Sequence, residues 1–169
     1  MKLTKQILFE MIEESLLTEL FDTSDVYDFT LKQKQEEDDF AGAIYHFVAQ
    51  KTADSQPYEY TVEIRCFEDD DMMWDVDFHT NDTYAYGLTG ETDLKIYVTI
   101  AAIVRHFAFE VRPTYSDKFS QIEQFYGSAQ REYQGDLRRV RIYAGLLRKM
   151  GGINIETVMS QITWDIPVV

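Results

Sequence analysis

Cysteine is almost absent from this chain. Cys66 is the single one among 169 residues, so no internal disulfide can form and a reducing compartment is favoured. Histidine is nearly as scarce, with three. His46 and His106 stand without a Cys or Ser partner at recognisable spacing, so no nucleophilic triad is legible. A long apolar run is also missing. The most apolar segment, Ile96 to Val111, is interrupted by Arg105 and His106 and is too short to span a bilayer. The first residues, Met-Lys-Leu-Thr-Lys-Gln, lead into a pattern carrying glutamates rather than an apolar core, which reads as no signal peptide. Together these absences point to a cytoplasmic protein that makes no use of a membrane. No internal repeat is visible.

Positive charge is short as well, and unevenly so. The net charge is −14, from 16 bases and 30 acids. Residues 1–82 hold 21 acids and 6 bases, a balance of −15; residues 83–169 hold 9 and 10, a balance of +1. Phosphate repulsion disfavours nucleic acid on the first half. That half suits a solvated surface, or one that docks on a basic protein.

What is present is enough for a core. Hydrophobic residues make up 45% of the chain and aromatic residues 14%, which argues against disorder. The length fits one α+β domain over 1–169. Residues 4–21 read as a helix with Thr4 as N-cap and an apolar stripe of Leu8, Met11, Ile12, Leu16 and Leu20. Tyr27, Phe29 and Leu31 alternate as in a half-buried strand. Lys32 to Asp39 reads as a charged loop, and Phe40 to Ala49 as a second strand. Tyr58, Tyr60, Val62, Ile64 and Cys66 alternate with Glu59, Thr61, Glu63 and Arg65. Met72 to Phe78 returns with its apolar residues on the same face. Asn81-Asp82 is a hairpin signal leading to a strand at Thr83–Leu88, for a meander of about five strands. A mostly apolar helix from Thr92 to Val111 should be buried on more than one side and end at Pro113. A short strand is expected within Thr114–Ser120. Ile122, Phe125, Tyr126, Ala129 and Tyr133 fall at helical spacing. Asp136 caps a basic amphipathic helix that Gly151-Gly152 closes. Ile153–Ile155 and Gln161–Val168 read as closing strands.

This order of elements, with Arg139-Val-Arg-Ile-Tyr143-Ala-Gly-Leu-Leu-Arg-Lys-Met-Gly151 as its closest local likeness, resembles the GNAT acetyltransferase superfamily over residues 40–168. The resemblance implies a GNAT-like core preceded by an N-terminal helix, strand and charged loop over 1–39. It implies acetyl-coenzyme A as cofactor of an acyltransferase, with Tyr143 as the group that protonates the departing thiolate. A phenol with a pKa of about 10 suits that task. It also places Gly87, Thr89 and Gly90 at the pyrophosphate. There the sequence departs from the superfamily's pattern: the glycines are three apart, no base precedes them, and Glu91 and Asp93 open the helix. Acids at that position suit the helix dipole and repel a pyrophosphate. Thr89-Gly90, Tyr97-Val-Thr-Ile-Ala101 and Arg139-Val-Arg-Ile-Tyr143 also resemble small proteins of tailed bacteriophages. That likeness implies a virus-encoded accessory or virion protein in the host cytoplasm.

Two further constellations stand on their residues alone. Asp75-Val-Asp77-Phe-His79 has period-two spacing, which puts two carboxylates and an imidazole on one sheet face near Glu63. Such a set could hold Mg²⁺, Mn²⁺ or Zn²⁺; the same residues are also the expected solvated face of a sheet. The bases Arg131, Arg138, Arg139, Arg141, Arg148 and Lys149 suit a helix C-terminus. The leading expectation is a non-enzymatic protein without a cofactor, docking on a basic protein partner or viral assembly through Glu36, Glu37, Asp38 and Asp39. The alternatives are an acyltransferase and a metal-dependent enzyme at Asp75, Asp77 and His79.

Overall fold

The computed structural model describes residues 25–50, 52–69, 72–80, 94–128, 138–158 and 161–168. The expected helix over 4–21 and the expected strand at Thr83–Leu88 lie outside them. Alternating side chains become four antiparallel neighbours: β1 (Phe29–Glu36), β2 (Phe40–Ala49), β3 (Tyr58–Phe67) and β4 (Trp74–Thr80). Tyr45, Phe47, Tyr60, Val62, Ile64, Cys66 and Trp74 are buried on one face of this meander. Glu63, Arg65, Asp75, Asp77 and His79, at the alternate positions, are only half-buried.

The charged loop expected over Lys32–Asp39 is strand as far as Glu36. β1 is the sheet's edge, so its lysines and glutamines stay solvated while its backbone pairs with β2. The register shifts between Leu31 and Gln33. A bulge and lysines are devices that keep an edge strand from pairing with another chain.

Helix α1 (Leu94–His106) follows β4 and continues as a π turn over Phe107–Val111. The N–H of Arg112 closes that turn on the carbonyl of Phe107. Pro113, which lacks an N–H, then sits in a 3₁₀ turn, Arg112–Thr114. Ile96, Ile100, Ile103, Val104 and Phe107 pack on the sheet, while Tyr97, Val98 and Ala101 pack on Leu146 and Met150 of the late helix. Burial on two sides explains why so little of the helix is polar. Each full burial of a side chain such as Phe107 stabilises by about 1.5–3 kcal/mol. Thr99 is buried: it donates to the Lys95 carbonyl at 2.7 Å and accepts the Tyr27 N–H at 3.0 Å.

Two expectations fail between Thr114 and Tyr133. No strand forms at Thr114–Ser120; Asp117–Ser120 is instead a single helical turn, α2. The strand comes later, as β5 (Gln124–Ser128), where the spacing suggested a helix. Five residues are too few for periodicity to decide, and tertiary packing does. Phe125 is fully buried between Phe107 and Trp164, with ring centroids 6.2 and 5.7 Å away. Helix α3 (Arg138–Lys149), β6 (Ile153–Val158) and β7 (Gln161–Asp165) complete the described chain.

Strand order is β1-β2-β3-β4-β5-β7-β6. β4 and β5 are parallel; every other described pair is antiparallel. A parallel pair needs a crossover, and α1 is that crossover. Both α1 and α3 cover the apolar face. Buried Arg112 fastens the crossover to the closing strand, donating to the carbonyls of Ile122 (3.1 Å), Ile166 (2.8 Å) and Pro167 (3.0 Å). Burial holds its pKa below the usual arginine value.

Candidate functional site

Among the described residues the parallel pair joins Trp74, Asp75 and Val76 to Phe125, Tyr126 and Gly127. An apolar cleft lies beside this pairing. Val76 and Phe78 of β4, Gly127 of β5, and Ile162 and Trp164 of β7 line its floor. Tyr97, Ile100, Ala101 and Val104 of α1 form one wall, and Leu146 and Leu147 of α3 the other. Its free volume is about 50 Å³, and it is partly open.

Gly127 helps keep this space open. A Cβ there would lie 3.5 Å from Cη2 and Cζ3 of Trp164, an ordinary contact, so the position is sterically permissive and its lack of a side chain enlarges the cleft. Trp164 lies nearly flat on Phe125, 15° from parallel, and its indole N–H is buried with no hydrogen-bond partner among the described residues. At Phe78, which pairs with Val62 of β3, the N–H donates to its neighbour's side chain, Asp77 Oδ1, at 2.9 Å.

The acyltransferase residues are only partly placed. Tyr143 belongs to α3, the helix that walls the cleft; its side chain lies outside the described residues, as do Gly87, Thr89 and Gly90. The end of α3 is well defined. Gly151 adopts φ +91°, the N–H of Gly152 donates to the Leu147 carbonyl at 2.8 Å, and that of Gly151 to the Arg148 carbonyl at 3.2 Å. This is a Schellman motif, as the paired glycines suggest.

Asp75, Asp77 and His79 fall on β4 opposite Arg65, Glu63 and Thr61. The cluster is organised around Arg65, whose guanidinium reaches Glu63 at 3.3 Å, Asp75 at 3.5 Å and Asp77 at 3.9 Å. Burial pushes the Asp75 carboxyl up; Arg65 opposes that, and Asp77 and Glu63 add to it. Among the described residues no group of three His, Cys, Asp or Glu is arranged to hold a metal ion.

Glu36, Glu37, Asp38 and Asp39 form an exposed corner where β1 turns into β2. Its acids are partly engaged. Glu36 accepts the Ser116 N–H at 2.9 Å, and its bonds with Ser116 hold its carboxyl below the usual range. Lys118 donates to the Asp38 carbonyl and to Glu68. Phe67, 53% exposed, sets its ring 5.0 Å from that of Phe40, tilted by 48°, at the same corner.

The cleft residues Gly127, Phe78 and Trp164 were not legible as a site. One signal was present: a glycine among aromatic residues on a strand marks missing side-chain volume.

These elements define an α+β protein on a seven-stranded mixed open sheet, with α1 and α3 packed on one face and an apolar cleft beside the parallel pair. Among the described residues no helix is long and apolar enough to cross a membrane. Comparison with known proteins finds no matching family model, curated protein or solved structure.

Proposed function

We propose that the cleft between β4 and β5 receives the acyl end of a coenzyme A thioester, on a scaffold of the GNAT type. The observation that carries this reading is an apolar cavity beside a parallel strand pair, walled by the crossover helix and by the helix bearing Tyr143. A dry pocket suits a short acyl chain, because water gains few bonds there. In this reading Tyr143 supplies the proton taken up by the departing thiolate, and Gly87, Thr89 and Gly90 take the pyrophosphate. The test is thermal unfolding with acetyl-coenzyme A. A hundredfold excess over the dissociation constant should stabilise the fold by about 2.7 kcal/mol. No shift at millimolar ligand overturns the reading.

A second reading is docking on a basic protein partner, in keeping with a virus-encoded accessory role. It is favoured by the exposed Phe67 within the corner of Glu37, Asp38, Asp39 and Glu68. An aromatic anchor rimmed by one sign of charge is a common interface arrangement. Binding of a lysine- and arginine-rich peptide should weaken steeply with salt and be lost when Glu36, Glu37, Asp38 and Asp39 are neutralised together. Salt-independent binding, or binding unchanged by neutralisation, overturns this second reading.

A further inference from the structure

A cation already sits in the acidic corner, and the chain itself supplies it. Lys118 belongs to the single helical turn α2, between the crossover helix and β5. Its ammonium donates to the carbonyl of Asp38 and to the carboxylate of Glu68, residues 80 and 50 positions away in sequence. Those two oxygens come from the two chain segments that make the corner, the turn from β1 into β2 and the exit of β3. Backbone bonds fix both segments. The Glu37 N–H donates to the Phe40 carbonyl at 2.7 Å, and the Glu68 N–H to the Asp39 carbonyl at 2.9 Å. The acceptors are therefore placed by backbone pairing and not by the lysine. Lys118 in turn is held within reach. The Ser116 N–H donates to Glu36 at 2.9 Å, and Lys34 donates to the Thr114 carbonyl at 3.0 Å. The ion pair itself is loosely held. The side chains of Lys118 and Glu68 are 33% and 51% exposed, and pairs as open to solvent as this are weak and readily exchanged.

We infer that Lys118 is a built-in competitor for the basic partner: it fills the corner's cation position in the free protein and gives it up to an arginine or lysine of the partner. The inference rests on the second reading, docking on a basic protein, and adds its regulation. The Asp38 carbonyl and the Glu68 carboxylate suit a partner's base for the same reason that they suit Lys118, and the exposed ring of Phe67 beside them offers a face to a guanidinium. Removing the charge of Lys118 should free both oxygens without touching an acid. The corner should then bind a basic partner more tightly.

The test measures binding of an N-acetylated oligo-arginine peptide, which carries no amine, to the full chain. Lys118→Gln should bind it up to about fivefold more tightly than the parent. Lys32→Gln removes the same charge from β1, outside the corner. At physiological salt, where charges beyond about 8 Å are largely screened, it should bind as the parent does. In the parent, the displaced Lys118 amine should react faster with acetic anhydride when the peptide is bound, read by mass spectrometry of the digested chain. If Lys118→Gln gains nothing, if Lys32→Gln gains as much, or if the peptide slows the reaction at Lys118, this inference falls and the docking reading stands. If the peptide binds neither the parent nor Lys118→Gln, both fall.

Discussion

Arg112 donates to the carbonyl of Ile166 at 2.8 Å, across 54 residues of sequence, and so fastens the crossover helix to the exit of β7. Its three acceptors are backbone carbonyls, two of them in the closing segment. Arg112→Ala would strand these acceptors in a buried place. We expect a loss of about 3 kcal/mol in urea unfolding. Arg112→Lys should recover only part of it, since an ammonium cannot present the guanidinium's planar fork. A near-neutral Arg112→Ala would show that these bonds add little to stability.

Gly127 allows the cleft to be filled without disturbing the sheet. Gly127→Ala should change stability by less than about 1 kcal/mol, because the new methyl meets Trp164 at ordinary contact distance. Gly127→Val should fold, at a cost of about 1–3 kcal/mol for overpacking, and should abolish the thermal shift with acetyl-coenzyme A. An undiminished shift in the valine variant would place the ligand elsewhere.

Gly152 behaves differently. A Cβ there would stand 2.9 Å from the Leu147 carbonyl oxygen, a backbone atom that already accepts the Gly152 N–H. Gly152→Ala should therefore cost about 1–3 kcal/mol. Gly151→Ala meets no described neighbour but must hold φ +91°, which should cost about 1 kcal/mol. Calorimetry on the two variants checks both values.

Asp75 yields a pH dependence. Its folded-state pKa is raised, so the stabilisation it contributes is present below the unfolded value, about 3.9, and is lost as pH rises through the folded value. Asp75→Asn should therefore gain melting temperature relative to the parent as pH rises above about 4. The gain should be small, since the side chain is 41% exposed and gives up its contact with Arg65. A parent that gains on the variant as pH rises would show that Arg65 outweighs burial at this site.

Burial also keeps Cys66 protonated, pushing its thiol up to about 11, with Asp69 adding to the effect. Alkylation of the native protein at pH 8 should be slow and should accelerate sharply in denaturant. Rapid native labelling would mean that β3 opens readily.

Local pattern in the chain was enough to fix the antiparallel meander, its buried face and the end of α3. Strict alternation from Tyr58 to Cys66 leaves one way to hide the apolar residues, and Gly151-Gly152 supplies the backbone freedom that a Schellman cap requires. These signals are carried by residues a few positions apart. The rest depends on packing between distant segments. Lys32–Glu36 is a strand because β2 pairs with it at a solvated edge. Gln124–Ser128 is a strand because Val76, Phe107 and Trp164 surround it, though they come from widely separated parts of the chain. The cleft draws its lining from β4, β5, β7, α1 and α3, and Gly127 leaves space in it beside Trp164. Parallel pairing joins residues about fifty positions apart, and no periodicity in the intervening sequence records which strand lies beside which.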